Sequence, residues 1–256
     1  MTAKQFAALH HQASPLLLAN VWDVASAKTV EKLQFSAIAT SSAAIATMLG
    51  YRDGEQMAFA EMLYIVKRIA AATALPFSVD IEGGYSERPE ETVAHIRALA
   101  EVGVVGINIE DSKVDSARGL RDAGRFADYL ATLKHRLAGD GLDVFVNVRT
   151  DPFLVGMDGA LAETLERARL YQAAGADGLF VPCITDAGDI GTVVASTTLP
   201  VNVLAMPALP DFGVLTRLGV KRISMGNWAF DSLQTELAGL LGRIRQAQSF
   251  QPLFGA

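Results

Sequence analysis

The chain has 256 residues, half of them hydrophobic, with 20% charged, 7% aromatic and a formal net charge of -6. There is no basic stripe to bind nucleic acid and no run of about 18 apolar residues to cross a membrane. The single cysteine, Cys183, excludes an intrachain disulfide and, with an N-terminus that lacks the apolar run of a signal peptide, places the expected location in the cytoplasm.

Taken in order, the chain alternates strand-like and helix-like runs. A short helix is expected over residues 3–11, with Phe6 and Leu9 inward, ended by Pro15. Residues 16–21 are apolar on both faces, as a buried parallel strand is. Asp23 can cap a helix that runs to Leu33. A second strand over 36–41 runs into small residues, and helical periodicity resumes over 55–72. Strands are then expected over 76–82, 104–111, 144–151, 178–183, 200–206 and 222–227. The intervening helices span 89–102, about 120–137, 160–174, 187–195 and 211–218, with a long last helix over 229–246. Pro89 sits near a first helical turn, where its missing N–H does no harm. Gly103, Gly175 and Gly219 each precede a strand, as helix-ending glycines do. Eight strand–helix units at this length, with no linker or composition break, predict one (β/α)8 barrel domain over 1–256. A doubly wound sheet fits less well, because Asn20-Val21-Trp22-Asp23 after the first strand has no phosphate-binding glycine.

In such a barrel the chemistry gathers at the C-terminal strand ends. The third strand closes on Ser78-Val79-Asp80-Ile81-Glu82-Gly83-Gly84, where alternation puts Asp80 and Glu82 on one side. Two adjacent acids call for a hard divalent cation, for water, or for a bridging lysine or arginine. The fourth strand ends at Glu110, the fifth at Arg149, and Asp53 lies in the loop after the second. This convergence points to a carboxylate-held Mg²⁺. Arg149 either binds a substrate carboxylate in fork geometry or bridges a neighbouring acid. Backbone N–H groups at Ser41, Ser42 and Ala43 can hold an oxyanion. Trp22 is either a pocket wall or core, and Cys183 either a reactive thiol or, more in keeping with lone cysteines, a packed residue. The four histidines fall in helices and form no triad or zinc site.

These strand ends resemble the isocitrate lyase/phosphoenolpyruvate mutase superfamily. Asp80-Ile81-Glu82-Gly83-Gly84-Tyr85 is similar to its D-x-D-x-G-[YF] metal motif, Gly106-Ile107-Asn108-Ile109-Glu110-Asp111 to G-[IL]-x-I-E-D, and Asn147-Val148-Arg149-Thr150-Asp151 to its A-R-T-D strand. Leu18-Ala19-Asn20-Val21-Trp22-Asp23 and Ala39-Thr40-Ser41-Ser42-Ala43 are also similar, so the match runs through nearly the whole chain in order. The resemblance implies a TIM-type barrel and dependence on Mg²⁺, with Mn²⁺ as a substitute. It implies that Asp53, Asp80, Glu82 and Glu110 hold the metal directly or through water. Ser41, Ser42, Ala43, Arg149, Asn202 and Trp22 are the expected substrate contacts, and Ser41, Asp53 and Glu110 the candidate catalytic residues. Small α-keto or enol-phosphate carboxylic acids are the implied partners, and a homo-oligomer, dimer or tetramer with an exchanged last helix, is the implied assembly.

The chain also departs from the family. The loop after the fourth strand, Ser112-Lys113-Val114-Asp115-Ser116-Ala117-Arg118-Gly119-Leu120, lacks the K-[KR]-C-G-H run of the isocitrate and methylisocitrate lyases, and the asparagine-containing mutase loop is not evident. Cys183 stands where the lyases have glutamate, and Glu82 where aspartate is commoner. The expected reaction is a Mg²⁺-dependent C–C lyase or a phosphonomutase, with residues 112–122 as a lid. A non-catalytic keto-acid-binding barrel is the alternative outside the enzymes.

Overall fold

The structure is a computed structural model that describes residues 2–114 and 117–254. A capping box at Thr2 starts α1 (Ala3–Ala8), and β1 (Leu16–Val21) follows. The chain then runs α2 (Val24–Lys32), β2 (Ile38–Thr40), α3 (Ser42–Leu49), α4 (Phe59–Ala70), β3 (Phe77–Asp80), α5 (Pro89–Ala100) and β4 (Gly106–Glu110). A hairpin of β5 (Ser112–Val114) and β6 (Arg118–Leu120) precedes α6 (Ala123–Gly139). The remainder is β7 (Phe145–Arg149), α7 (Ala160–Ala173), β8 (Gly178–Val181), α8 (Ala187–Ser196), β9 (Val201–Leu204), α9 (Phe212–Leu218), β10 (Arg222–Ser224) and α10 (Trp228–Ala247). Eight parallel strands close in the order β1-β10-β9-β8-β7-β4-β3-β2, which is the expected barrel.

Alternation along each strand divides the apolar residues into two cores. Val79, Ile107, Ile109, Val146, Val148, Leu179 and Val203 face outward and are sealed by helix residues such as Met62, Val66, Ile96, Leu130 and Leu133. Leu16, Leu18, Ala39 and Phe145 face inward and form a separate cluster with Phe6 of α1, which plugs the N-terminal end of the barrel. Gly106 makes the plug possible: a Cβ there would lie 2.7 Å from the Phe6 ring.

The plug also buries a titratable group. His10 stacks on Phe145 at 4.4 Å, and its Nδ1 lies 3.1 Å from the Phe6 carbonyl. Burial, helped by Arg222, lowers its pKa to about 3. A histidine ordinarily titrates near 6.5, so between these values the unfolded chain holds one more proton than the folded one. Stability is therefore lost as pH falls through that window. Denaturant unfolding at pH 7 and pH 5 should show wild type losing about 2 kcal/mol more than His10→Phe over this step. Equal losses would mean that His10 is not held neutral.

Three local expectations are corrected. The small residues after β2 form a helix, α3, because Ser41 caps it by accepting from the Ala44 N–H and Gly50 closes it at φ +85°. The next helix starts at Phe59 rather than residue 55, and the loop before it carries Asp53 to the cavity. The expected lid is an antiparallel hairpin, although Asp115 and Ser116 lie outside the described residues. On the opposite flank α10 leaves Leu233, Leu237 and Leu241 exposed. No helix among the described residues is long and apolar enough to cross a membrane.

Candidate active site

A cavity of about 210 Å³ opens at the C-terminal end of the barrel. Ser41, Ser42, Ala43, Asp53, Asp80 and Arg149 line it as the strand ends predict, and Asn20, Asn108 and Arg118 line it as well. The N-terminus of α3 points into this space. The Ser42 and Ala43 N–H groups belong to its first turn, where no intrahelical acceptor exists, and have no partner among the described residues. Ser42 Oγ donates to Asp80 Oδ2 at 2.8 Å, tying the helix to the third strand.

Asp80 and Glu82 are brought together, but not by strand alternation. The strand stops at Asp80, and Glu82 takes a left-handed backbone at φ +50°. That conformation costs about 1 kcal/mol or more outside glycine. It is held by the Glu82 N–H donating to Asp80 Oδ1 at 3.3 Å and by Glu82 Oε2 accepting from the Glu55 N–H at 2.5 Å. Burial, together with the charges of Asp53, Asp80 and Glu110, pushes the Glu82 carboxyl up to about 8. Burial also raises Asp80, against the pull of Arg149 and Ser42.

Arg149 bridges neighbouring acids, one of the two roles that its sequence position left open. Its Nε and Nη2 donate to Asp151 at 2.7 and 3.0 Å, and Nη1 lies 2.8 Å from Glu110 Oε2. Burial works against its charge, but Glu110 and Asp151 more than offset this and keep it protonated. A guanidinium carries five N–H groups, so donors remain for a ligand in the cavity. Burial pushes the Glu110 carboxyl up, while Arg149 and Arg118 pull it down.

Arg118 is the residue that sequence reasoning missed. From β6 it reaches into the cavity, where Nη2 lies 2.7 Å from Asp53 Oδ2 and Nη1 donates to Ser112 Oγ at 2.8 Å. Nη1 also pairs with Glu110 and lies 3.4 Å from Asp151 Oδ2. One side chain thus ties the hairpin to the second, fourth and fifth strand ends. Asp111, next to Glu110, is structural by contrast: it is fully buried and accepts from Thr150, Tyr171, Arg167 and the Asp151 N–H.

The donor set fits a hard divalent cation. Among the described residues, the only ion pairs made by Asp53, Asp80, Glu82, Glu110 and Asp151 are with Arg118 and Arg149, and three neighbouring carboxylates help to raise Glu82. Oxygen-only ligands in excess negative charge suit Mg²⁺. Among the described residues no three acids close into a direct ligand set. Mg²⁺ ordinarily keeps several waters and takes only one or two carboxylates directly.

A profile of the family described as phosphoenolpyruvate phosphomutase matches residues 6–245. The chain belongs to the phosphoenolpyruvate phosphomutase family. Its fold superposes with a TM-score of 0.88 on a candidate phosphonomutase from Burkholderia cenocepacia, at 40% identity over 94% of this chain and 99% of that one. It is 32% identical to an oxaloacetate decarboxylase from Rhodopseudomonas palustris, over 93% of this chain and 82% of the relative. At 20% identity it shares the fold of a phosphonopyruvate hydrolase crystallised with oxalate and Mg²⁺, with a TM-score of 0.85 over 98% of this chain and 89% of that one.

Within this phosphomutase-family barrel two expected contacts are not at the cavity. Strand β1 ends at Val21 and the chain bends, so Trp22 packs outside the barrel against Phe230, with ring centroids 5.2 Å apart. It is core, and Asn20 lines the cavity in its place. Asn202 points inward but one layer too deep: it is fully buried, and its polar atoms are spent on Ser224, Asn147 and backbone carbonyls. Cys183 sits at φ +63° outside the lining residues, and burial pushes its thiol up, so it is no thiolate at neutral pH.

Proposed function

We propose that the chain is a Mg²⁺-dependent lyase that breaks or forms the C–C bond beside the carbonyl of a small α-keto acid, through an enolate. One observation carries this reading: the Arg149 guanidinium, the free N–H groups of Ser42 and Ala43, and Asp80 converge on one small cavity. Its volume lies below the roughly 300–1,000 Å³ typical of drug-sized sites, so it suits an acid of a few carbons. The similarity to an oxaloacetate decarboxylase supports a 2-oxo dicarboxylic acid.

Asp80, with Glu82, Asp53 and Glu110 around it, would hold Mg²⁺, with Mn²⁺ as a substitute. Bound there, the ion supplies Lewis-acid stabilisation of a developing enolate. The protein's own groups do the rest. Arg149, clamped by Asp151 and Glu110, orients the substrate carboxylate. The Ser42 and Ala43 N–H groups face the oxygen on which charge develops. The hairpin, pinned by Arg118, keeps bulk water from the carbanion. The exposed apolar residues on α10 support the homo-oligomer.

The test is a panel of 2-oxo acids followed by proton NMR, with Mg²⁺ and with EDTA. Oxaloacetate is expected to give pyruvate faster than its spontaneous decay, only with metal, and not with an Asp80 variant. Phosphonomutase chemistry is the second reading, favoured by the Burkholderia relative. A new phosphate-ester signal in ³¹P NMR from phosphonopyruvate would replace the lyase assignment with it. Tight oxalate binding with no turnover across the panel would leave a keto-acid-binding barrel.

A further inference from the structure

The layer beneath the cavity is polar and its hydrogen bonds have a fixed direction. Asn108 Oδ1 accepts from Arg222 Nη2 at 3.2 Å and from Asn147 Nδ2 at 2.9 Å. An arginine nitrogen can only donate, so the Asn108 atom beside it is the oxygen. A flipped amide would set donor against donor. The Asn108 Nδ2 is thereby turned away from Arg222. It has no partner among the described residues and is not among the sealed, unpaired polar atoms, and Asn108 lines the cavity. Asn108 is also the direct register partner of Asp80, so this amide opens beside the carboxylate at the centre of the site.

The groups below are committed and cannot compete for that amide. Asn147 Nδ2 is shared between Asn108 and Asn202 Oδ1, and Asn202 Oδ1 also accepts from Ser224 Oγ at 3.0 Å. Gly178 leaves the room, since a Cβ there would lie 2.6 Å from Asn147 Oδ1. Arg222 is fully buried and bridges to no carboxylate among the described residues, and its Nε and Nη1 have no partner there. Burial lowers its pKa only to about 9, so it stays charged at neutral pH. A buried cation whose one side-chain hydrogen bond goes to Asn108 is costly for the fold, and the charge of Asp80 offsets that cost only in part.

We propose that Asn108 donates its Nδ2 hydrogens to an oxygen of the bound 2-oxo acid or its enolate, and that Arg222 is the positioning residue that holds this amide in the donating orientation. The ligand class rests on the functional reading above; the orientation does not.

Asn108→Asp is the discriminating variant. Its lower oxygen still accepts from Arg222 and Asn147 and adds a countercharge for Arg222, so the melting temperature is expected to hold or rise. Its upper atom becomes an acceptor facing the ligand. Calorimetric titration with oxalate in saturating MgCl₂ should show at least about 100-fold weaker binding than wild type, the loss of a charge-assisted hydrogen bond plus repulsion. Arg222→Met should weaken oxalate about 5- to 10-fold by letting the amide turn. Arg222→Lys, which keeps a donor below Asn108, should recover most of that loss. In ¹⁵N-labelled wild type the Asn108 side-chain amide peaks should shift on adding oxalate. In Arg222→Met they should move before any oxalate is added. A folded Asn108→Asp protein that binds oxalate within threefold of wild type overturns the proposal and leaves the functional reading standing. Wild type that fails to bind oxalate with Mg²⁺ present overturns both.

Discussion

Asp80→Asn is expected to lower turnover at least about a thousandfold while leaving the protein as stable as wild type or more so. The two effects have one cause. Asp80 is half-buried at the cavity wall, and desolvation together with Asp53 disfavours its charge. That charge is costly to the fold and has a use only if a cation is meant to meet it. The amide oxygen can keep the Glu82 N–H bond that holds the turn, and its NH₂ then donates to the Ser42 hydroxyl, which can accept as well as donate. The decisive measurement is thermal unfolding with and without MgCl₂. A ligand present at 100 times its dissociation constant adds about 2.7 kcal/mol to the stability of the folded state. Wild type should therefore melt higher in millimolar Mg²⁺, and Asp80→Asn should not respond. A preserved metal-dependent shift in the variant would move the metal away from Asp80 and remove the proposed mechanism.

Arg118→Ala should act in opposite directions on two readouts. Turnover is expected to fall about 10²-fold, because the hairpin loses its link to Asp53, Glu110 and Asp151 and no longer shields the cavity. Mg²⁺ affinity, measured by calorimetry, should rise, because the same acids lose a competing positive charge. Arg118→Lys keeps the charge without the fork and should fall between the two. If Mg²⁺ binds more weakly to Arg118→Ala, the guanidinium is part of the metal site's architecture rather than its competitor.

The barrel and the acid cluster were legible in the sequence because both depend on local rules. Alternation told which residues of Gly106 to Glu110 face inward, and glycines marked where helices stop. What was not legible depends on distance through the fold. Asn202 faces inward as its parity predicts, yet the stagger of neighbouring strands sets its depth, and it pairs with Arg222 below the cavity floor. Trp22 has the parity of Asn20, but the strand ends one residue earlier. Arg118 could be placed only by the register of a hairpin, in which Val114 faces Arg118, and that pairing leaves no composition signal in a loop. The α3 helix was within reach, since Ser41 and Gly50 are an N-cap and a left-handed stop, but its small residues hide the periodicity.

The barrel closes by pairing its first strand with its last, β1 with β10. Asn20 Oδ1, at the cavity wall, accepts from the N–H groups of Met225 and Gly226, some 205 residues further on. A ribosome that adds roughly 5–20 residues per second therefore releases the early strands long before their seam partner exists. Until then β1 has an open edge, and the wall and floor of the cavity are incomplete. The pocket can form only after nearly the whole chain has emerged. Ligand binding is thus a direct reporter of seam closure during biosynthesis, and fragments that stop short of β10 should collect as inactive, edge-exposed species prone to association.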